Sequence, residues 1–132
     1  MEIIKIKETC LYTNDLELAK AFYHGKLGLP VIGMVKNRHV FFRAGGSVLL
    51  CFNPESTIND DKVPPHYAHG NQHLAFEVEP SKYQSWKNKL KELGILITHE
   101  HTWPNGKKSF YFNDPENNVL EIIEEGMWET SK

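Results

Sequence analysis

The segments LGLPV, residues 27–31, and LGILI, residues 93–97, occupy matching places in two successive runs of predicted elements. A second pair of segments, SVLL at 47–50 and NVLE at 118–121, matches in the same way. Each run has an alternating strand, then a helix, then three short strands. The sequence therefore predicts two copies of a βαβββ module, each too small to bury its sheet alone.

The first module is predicted over about residues 3–53. Alternation of apolar and polar residues predicts a strand from Ile4 to Tyr12. Apolar residues at helical spacing after Asp15 predict a helix that glycines end by Gly28. Three short strands are expected to follow, at 31–35, 39–43 and 47–52.

A proline-rich linker, about 54–71, is expected to lead into the second module, about 72–125. There the patterns predict a helix over 81–93 and strands at 72–79, 95–101, 108–113 and 119–124. The two sheets are expected to curve together around a shared cavity, within a single α+β domain spanning residues 1–132. A cleft between modules is a common place for a ligand.

Composition excludes several classes of partner. The chain has 132 residues, is 40% hydrophobic and has a formal net charge of -2, so nothing indicates a nucleic-acid surface. No apolar stretch reaches the roughly 20 residues of a membrane span, and the N-terminal residues do not resemble a signal peptide. Cys10 and Cys51 are expected to be reduced thiols, as in a cytoplasmic protein.

Glu8 on the first strand and Glu121 on the eighth interrupt otherwise apolar strand faces. His73 on the fifth strand lies opposite the apolar face formed by Leu74, Phe76 and Val78, so it points into the cavity if that face packs on the helices. An imidazole and two carboxylates facing one cavity could bind a divalent transition metal with positions left open for substrate. The alternative is that His73 is a satisfied strand-end histidine and that the two glutamates lie at wet strand ends or pair with basic residues.

The segments DLELAKAFYHGKLGL (15–29), QHLAFEV (72–78) and SFYFNDPENNVLEI (109–122) resemble the vicinal oxygen chelate superfamily over about residues 4–126. This resemblance implies an eight-stranded, cup-shaped mixed sheet built from two βαβββ modules. It also implies a small-molecule enzyme of lyase, isomerase, thiol transferase or dioxygenase type, and a homodimer. Metal-free drug- or metabolite-binding proteins belong to the same superfamily and are the alternative, ahead of a purely structural or partner-binding domain.

Aligned with the family's metal positions, the resemblance implies that Glu8, His73 and Glu121 bind a divalent ion such as Zn, Mn, Ni or Fe. The fourth family position falls on Leu50, which cannot bind metal. Glu8 departs from the family pattern. Two carboxylates would nearly neutralise the ion and would repel each other without it, so a metal-free site stays open.

Further side chains are candidates for contact with substrate. Tyr111 matches a cavity-facing tyrosine in the fosfomycin-resistance branch, and Trp103 lies in a tight loop that is near the substrate in family members. Glu8 or Glu121, if not fully engaged by metal, could act as a general base, with Tyr111 as a further catalytic hydroxyl. The remaining candidate substrate contacts are Cys10, Phe41 and Leu50.

Overall fold

The computed structural model describes residues 1–129, which form two compact units that share the order strand, helix and three strands. The first unit spans Met1–Gly70, and the second begins at Asn71. The first contains β1 (Glu8–Tyr12), α1 (Leu16–Lys20), β2 (Val31–Val35), β3 (His39–Ala44), β4 (Ser47–Phe52) and α2 (Pro54–Thr57). The second contains β5 (His73–Val78), α3 (Tyr83–Glu92), β6 (His99–Thr102), β7 (Lys108–Asn113) and β8 (Val119–Glu124).

Each unit has one four-stranded mixed sheet. The strand order is β1-β4-β3-β2 in the first unit and β5-β8-β7-β6 in the second. The opening strand of each unit runs parallel to the last strand, while the other neighbours are antiparallel. The helices α1 and α3 make the crossover, each carrying the chain from the opening strand to the strand at the far edge of its sheet. The repeat of this topology confirms the predicted α+β class and the predicted pair of βαβββ modules.

The core of each unit lies on one face of its sheet. In the second unit Leu90 of α3 and Phe110 and Phe112 of β7 are completely buried, and Tyr83 packs on Phe110 with ring centroids 5.4 Å apart. In the first unit Tyr23 packs on Phe42 in the same way, at 5.5 Å. Because strand side chains alternate, the residues between these core positions point to the opposite face.

The first helix passes through Gly25 and ends at the second predicted glycine, Gly28. The Asp15 carboxylate caps it by accepting from the amide of Leu18, and α1 passes into a π-helical turn over Ala21–Lys26. Gly25 lies inside that turn, and the amide of Leu27 donates to the carbonyl of Phe22, five residues back. The helix ends at Gly28, whose φ of 81° suits glycine.

The first strand begins at Glu8, so the prediction that it begins at Ile4 is wrong. Glu8 is opposite Val48, and β4 itself begins at Ser47, so earlier residues reach beyond the end of the neighbouring strand. Ile4 and Ile6 are accordingly exposed, at 88% and 79%. Their alternation with charged residues resembles a strand although the sheet offers them no partner.

The sixth strand begins later than predicted, at His99, and residues 95–98 lie outside it. The amide of Ile95 donates to the carbonyl of Leu90 and so completes the end of α3. The ladder with β7 then covers His99 to Thr102. An apolar run after a helix-ending glycine therefore contributes to the helix end before the strand starts.

Candidate functional site

Glu121 is a buried carboxylate in the middle of β8, only 5% exposed. β8 lies inside its sheet, so Glu121 has Ala75 of β5 opposite on one side and Tyr111 of β7 opposite on the other. A buried carboxylate costs several kcal/mol unless polar partners replace its water, so its neighbours explain how it is tolerated.

The two oxygens of Glu121 have different partners. Oε2 accepts a hydrogen bond from the hydroxyl of Ser109 at 2.5 Å, and Oε1 lies 3.3 Å from Nε2 of His73. The phenol of Tyr111 also interacts with both Glu121 and Ser109. Burial raises the pKa of Tyr111, and the nearby charge of Glu121 raises it further. The sheet thus gathers one carboxylate, one imidazole and two hydroxyls on one face.

The backbone determines which nitrogen of His73 carries a hydrogen. Nδ1 lies 2.8 Å from the carbonyl oxygen of Val119, which can only accept, so Nδ1 donates. In a neutral imidazole Nε2 carries a lone pair, so Nε2 of His73 and Oε1 of Glu121, 3.3 Å apart, could both bind one cation. The donor set therefore fits a divalent metal, with Val119 orienting the ligand as an outer partner.

His73 is also accessible from solvent. Its side chain is 52% exposed, whereas that of Glu121 is 7% exposed. A cation can thus approach from the imidazole side, while the buried carboxylate supplies charge from within the sheet. The structure brings together the predicted residues His73, Glu121 and Tyr111.

Ser109 and Trp103 complete this group. The indole Nε1–H of Trp103 donates to Oγ of Ser109 at 2.9 Å, so Trp103 is tied to the group through its N–H. Sequence reasoning missed Ser109. It lies two residues before Tyr111 on the same strand, and alternation would have placed both on the face opposite Phe110 and Phe112.

The other predicted residues lie on one face of the first unit's sheet. Glu8 and Cys10 of β1 are opposite Val48 and Leu50 of β4, and Leu50 in turn is opposite Phe41 of β3. Leu50 is 7% exposed, while Cys10 and Phe41 are half-buried and Glu8 is exposed. Burial raises the pKa of the Cys10 thiol, and the charge of Glu8 raises it further.

Glu8 belongs to the first unit, whereas His73 and Glu121 belong to the second. Within residues 1–129, no three side chains of His, Cys, Asp or Glu are grouped so that they could hold one metal ion. The pair His73 and Glu121 is therefore the part of the predicted ligand set that the structure brings together. The role of Glu8 stays a prediction. In the same part of the chain, every helix is too short or too polar to span a bilayer.

Comparison with known proteins gives a consistent match. The family model for the Glyoxalase/Bleomycin resistance protein/Dioxygenase superfamily matches residues 5–122. A crystal structure of lactoylglutathione lyase from Agrobacterium tumefaciens is similar with a TM-score of 0.93 and 35% identity, covering 97% of this chain and 98% of that one.

Two further relatives differ more in sequence. The metallothiol transferase FosB of Staphylococcus epidermidis strain ATCC 12228 is 28% identical over 127 residues, covering 92% of this chain and 82% of that protein. The virulence protein STM3117 from Salmonella typhimurium shares the fold, with a TM-score of 0.74, 23% identity and coverage of 94% and 98%.

Proposed function

Because this chain belongs to the Glyoxalase/Bleomycin resistance protein/Dioxygenase superfamily, we propose that it is a metal-dependent enzyme acting on a small molecule with two adjacent oxygens. The observation that carries this proposal is the approach of His73 Nε2 to Glu121 Oε1, at 3.3 Å, with Nδ1 of His73 already engaged. A homodimer is part of the proposal.

His73 and Glu121 would hold the ion, and Glu8 is proposed as the third ligand. The bound ion would act as a Lewis acid that stabilises negative charge developing on a substrate oxygen. The protein's own groups then have separate tasks. His73 would supply a neutral nitrogen ligand and Glu121 a charged oxygen ligand. Glu8 or Glu121, whichever is not fully engaged by metal, would accept a substrate proton, and the Tyr111 phenol would donate to a substrate oxygen.

The proposed reaction class is transfer or elimination at a thiol adduct. The names of two relatives support it, since one is a metallothiol transferase and another a lactoylglutathione lyase. Cys10, Phe41 and Leu50 are proposed to contact apolar parts of the substrate, because they form a partly exposed apolar strip on the first sheet. Trp103, a further proposed substrate contact, has its N–H engaged by Ser109, which leaves its ring for that role.

Metal analysis of protein purified without chelator tests the proposal. We expect about one divalent ion per chain in the wild type and a large loss of metal in His73→Ala. His24→Ala is a matched control, because His24 also lies 2.8 Å from a backbone carbonyl through Nδ1 but makes no ion pair within residues 1–129. Equal metal content in wild type and His73→Ala would overturn the proposal. A metal-free wild type that binds a small ligand would favour a binding protein instead.

A further inference from the structure

We infer that Ser109 and Trp103 are positioning residues that orient the Glu121 carboxylate towards His73, an inference that rests on the proposed metal site. The hydrogen bonds from Trp103 to Ser109 and from Ser109 to Glu121 measure 2.9 Å and 2.5 Å. Ser109 has no exposed surface, so its hydroxyl has no water with which to exchange these partners.

The direction of the hydrogen bonds that link Trp103, Ser109 and Glu121 follows from which of their groups can donate and which can accept. An indole N–H can only donate, so Oγ of Ser109 must accept from Trp103. An ionised carboxylate can only accept, so the hydroxyl hydrogen of Ser109 points to Oε2 of Glu121. Each bond uses a different part of the Ser109 hydroxyl, and the two bonds polarise each other in the same direction.

The consequence is a division of work between the two carboxylate oxygens. Oε2 is held by Ser109, and the planar carboxylate then turns Oε1 towards Nε2 of His73. Without the serine hydroxyl the carboxylate could rotate about its side-chain bonds, and Oε2 would lose the hydrogen bond that fixes it. Partners of this kind around metal ligands commonly change metal affinity by about 10- to 100-fold.

The turn between β6 and β7 places the indole. The amide of Trp103 donates to the carbonyl of Lys107 at 2.7 Å, and the amide of Gly106 donates to the carbonyl of Trp103 at 2.8 Å. The indole also packs edge-on against His101, with ring centroids 4.5 Å apart. A tight turn and an aromatic contact thus set the position from which Trp103 reaches Ser109.

Two substitutions test the inference, with Zn²⁺ titrated into metal-free protein by calorimetry. Ser109→Ala should weaken Zn²⁺ binding by about 10- to 100-fold, and Trp103→Phe, one bond further away, by up to about tenfold. Ser47→Ala and Trp86→Phe are controls, because the Ser47 hydroxyl donates to a backbone carbonyl and Trp86 lies on α3 beside Lys89. Both controls should bind Zn²⁺ as the wild type does.

The indole N–H of Trp103 offers a second readout that does not need metal affinity. Its nuclear magnetic resonance signal, identified by its loss in Trp103→Phe, should move and exchange faster with solvent in metal-free Ser109→Ala. In the wild type the same signal should move on addition of Zn²⁺, while that of Trp86 should not.

The outcomes separate this inference from the proposed function. A wild type that binds Zn²⁺, with equal affinity in Ser109→Ala and an unmoved Trp103 signal, would overturn the positioning role alone. A wild type that binds no metal would overturn the proposed function and, with it, the role of the pair towards a metal. If Ser109→Ala does not fold, Trp103→Phe and the Zn²⁺ response of the Trp103 signal still decide the matter.

Discussion

The carboxylate of Glu121 is buried, where its charge reduces the stability of the fold but serves the proposed metal site. Its Oε2 accepts from Ser109, while Oε1 lies 3.3 Å from Nε2 of His73, whose Nδ1 is engaged by the carbonyl oxygen of Val119. Oε1 therefore lies on the side of the exposed imidazole, where the proposed metal ion would bind. Sites of this kind commonly reduce stability in exchange for function.

Glu121→Gln tests whether the charge of Glu121 increases metal affinity and lowers the stability of the metal-free protein. The amide has nearly the same shape and can still accept from Ser109, but it carries no charge. We expect Zn²⁺ affinity to fall by about tenfold or more. The melting temperature of the metal-free protein should stay equal or rise, because a buried charge is removed. Equal Zn²⁺ affinity in the two proteins would remove Glu121 from the ligand set.

Glu121 could be proposed from the sequence because it interrupts an apolar strand face, and His73 because it lies on the strand face opposite an apolar one. Ser109 could not, since a serine in a strand carries no such signal. Its importance depends on a 2.5 Å contact with Glu121, twelve residues along the chain, that arises only when β7 pairs with β8. The task of Trp103 likewise depends on the geometry of a turn.

At the scale of the elements, α3 packs against the second sheet with its buried face. Leu90 is completely buried, so Leu90→Ala leaves a cavity and should lower the free energy of unfolding by about 2–5 kcal/mol. Leu96→Ala is the control, because that side chain is 77% exposed and should change stability by about 0.5 kcal/mol or less. Chemical denaturation measures both. Equal effects would contradict the packing of α3 described above.

A second element-scale prediction concerns Asp60, which ties the segment after α2 to Arg38 at 2.9 Å. The backbone amide of Lys62 and then the Arg38 guanidinium hold the pKa of Asp60 below its ordinary value of 3.8. A lowered folded-state pKa gives stability that is present above the unfolded pKa and is lost as pH falls through the folded value.

Asp60→Asn should therefore have a lower melting temperature than the wild type, and the difference should be the same from pH 7 down to about pH 4. The difference from wild type should then shrink as the pH falls further. Asp61→Asn, at the neighbouring exposed position, should show little difference at any pH. Melting curves from pH 7 to pH 2 measure this, and a difference that persists at pH 2 would show that charge is not the cause.

The type of each main element was predictable, but the limits of several were not. Alternation and helical spacing indicate which residues suit a strand or a helix. They do not indicate where the adjacent strand or helix begins or ends. β1 is shorter than its pattern because β4 begins at Ser47, and β6 is shorter because Ile95 completes the end of α3. The π-helical turn at Ala21–Lys26 depends on hydrogen bonds that no spacing of apolar residues indicates.

At the scale of the whole molecule, the prediction that involves both units concerns Glu8. It is exposed on β1 of the first unit, whereas the other proposed ligands are in the second. If Glu8 is a ligand, Glu8→Gln should weaken Zn²⁺ binding by about tenfold or more, because a charged ligand is lost. Glu2→Gln, at an exposed position nearby, serves as the control. Unchanged affinity in Glu8→Gln would remove that residue from the site.

The shared strand order also has a consequence for the order of folding events. Within each of the two described sheets the opening strand is paired with the last strand alone, so β1 can join its sheet only after β4 has formed, and β5 only after β8. The antiparallel pairs between consecutive strands close short loops and should form early, whereas the parallel pairing is more distant in sequence and slower. His73 stands on β5 and Glu121 on β8, so their contact arises only with that final pairing. The proposed metal-binding pair would thus assemble with the last strand pairing of the second unit.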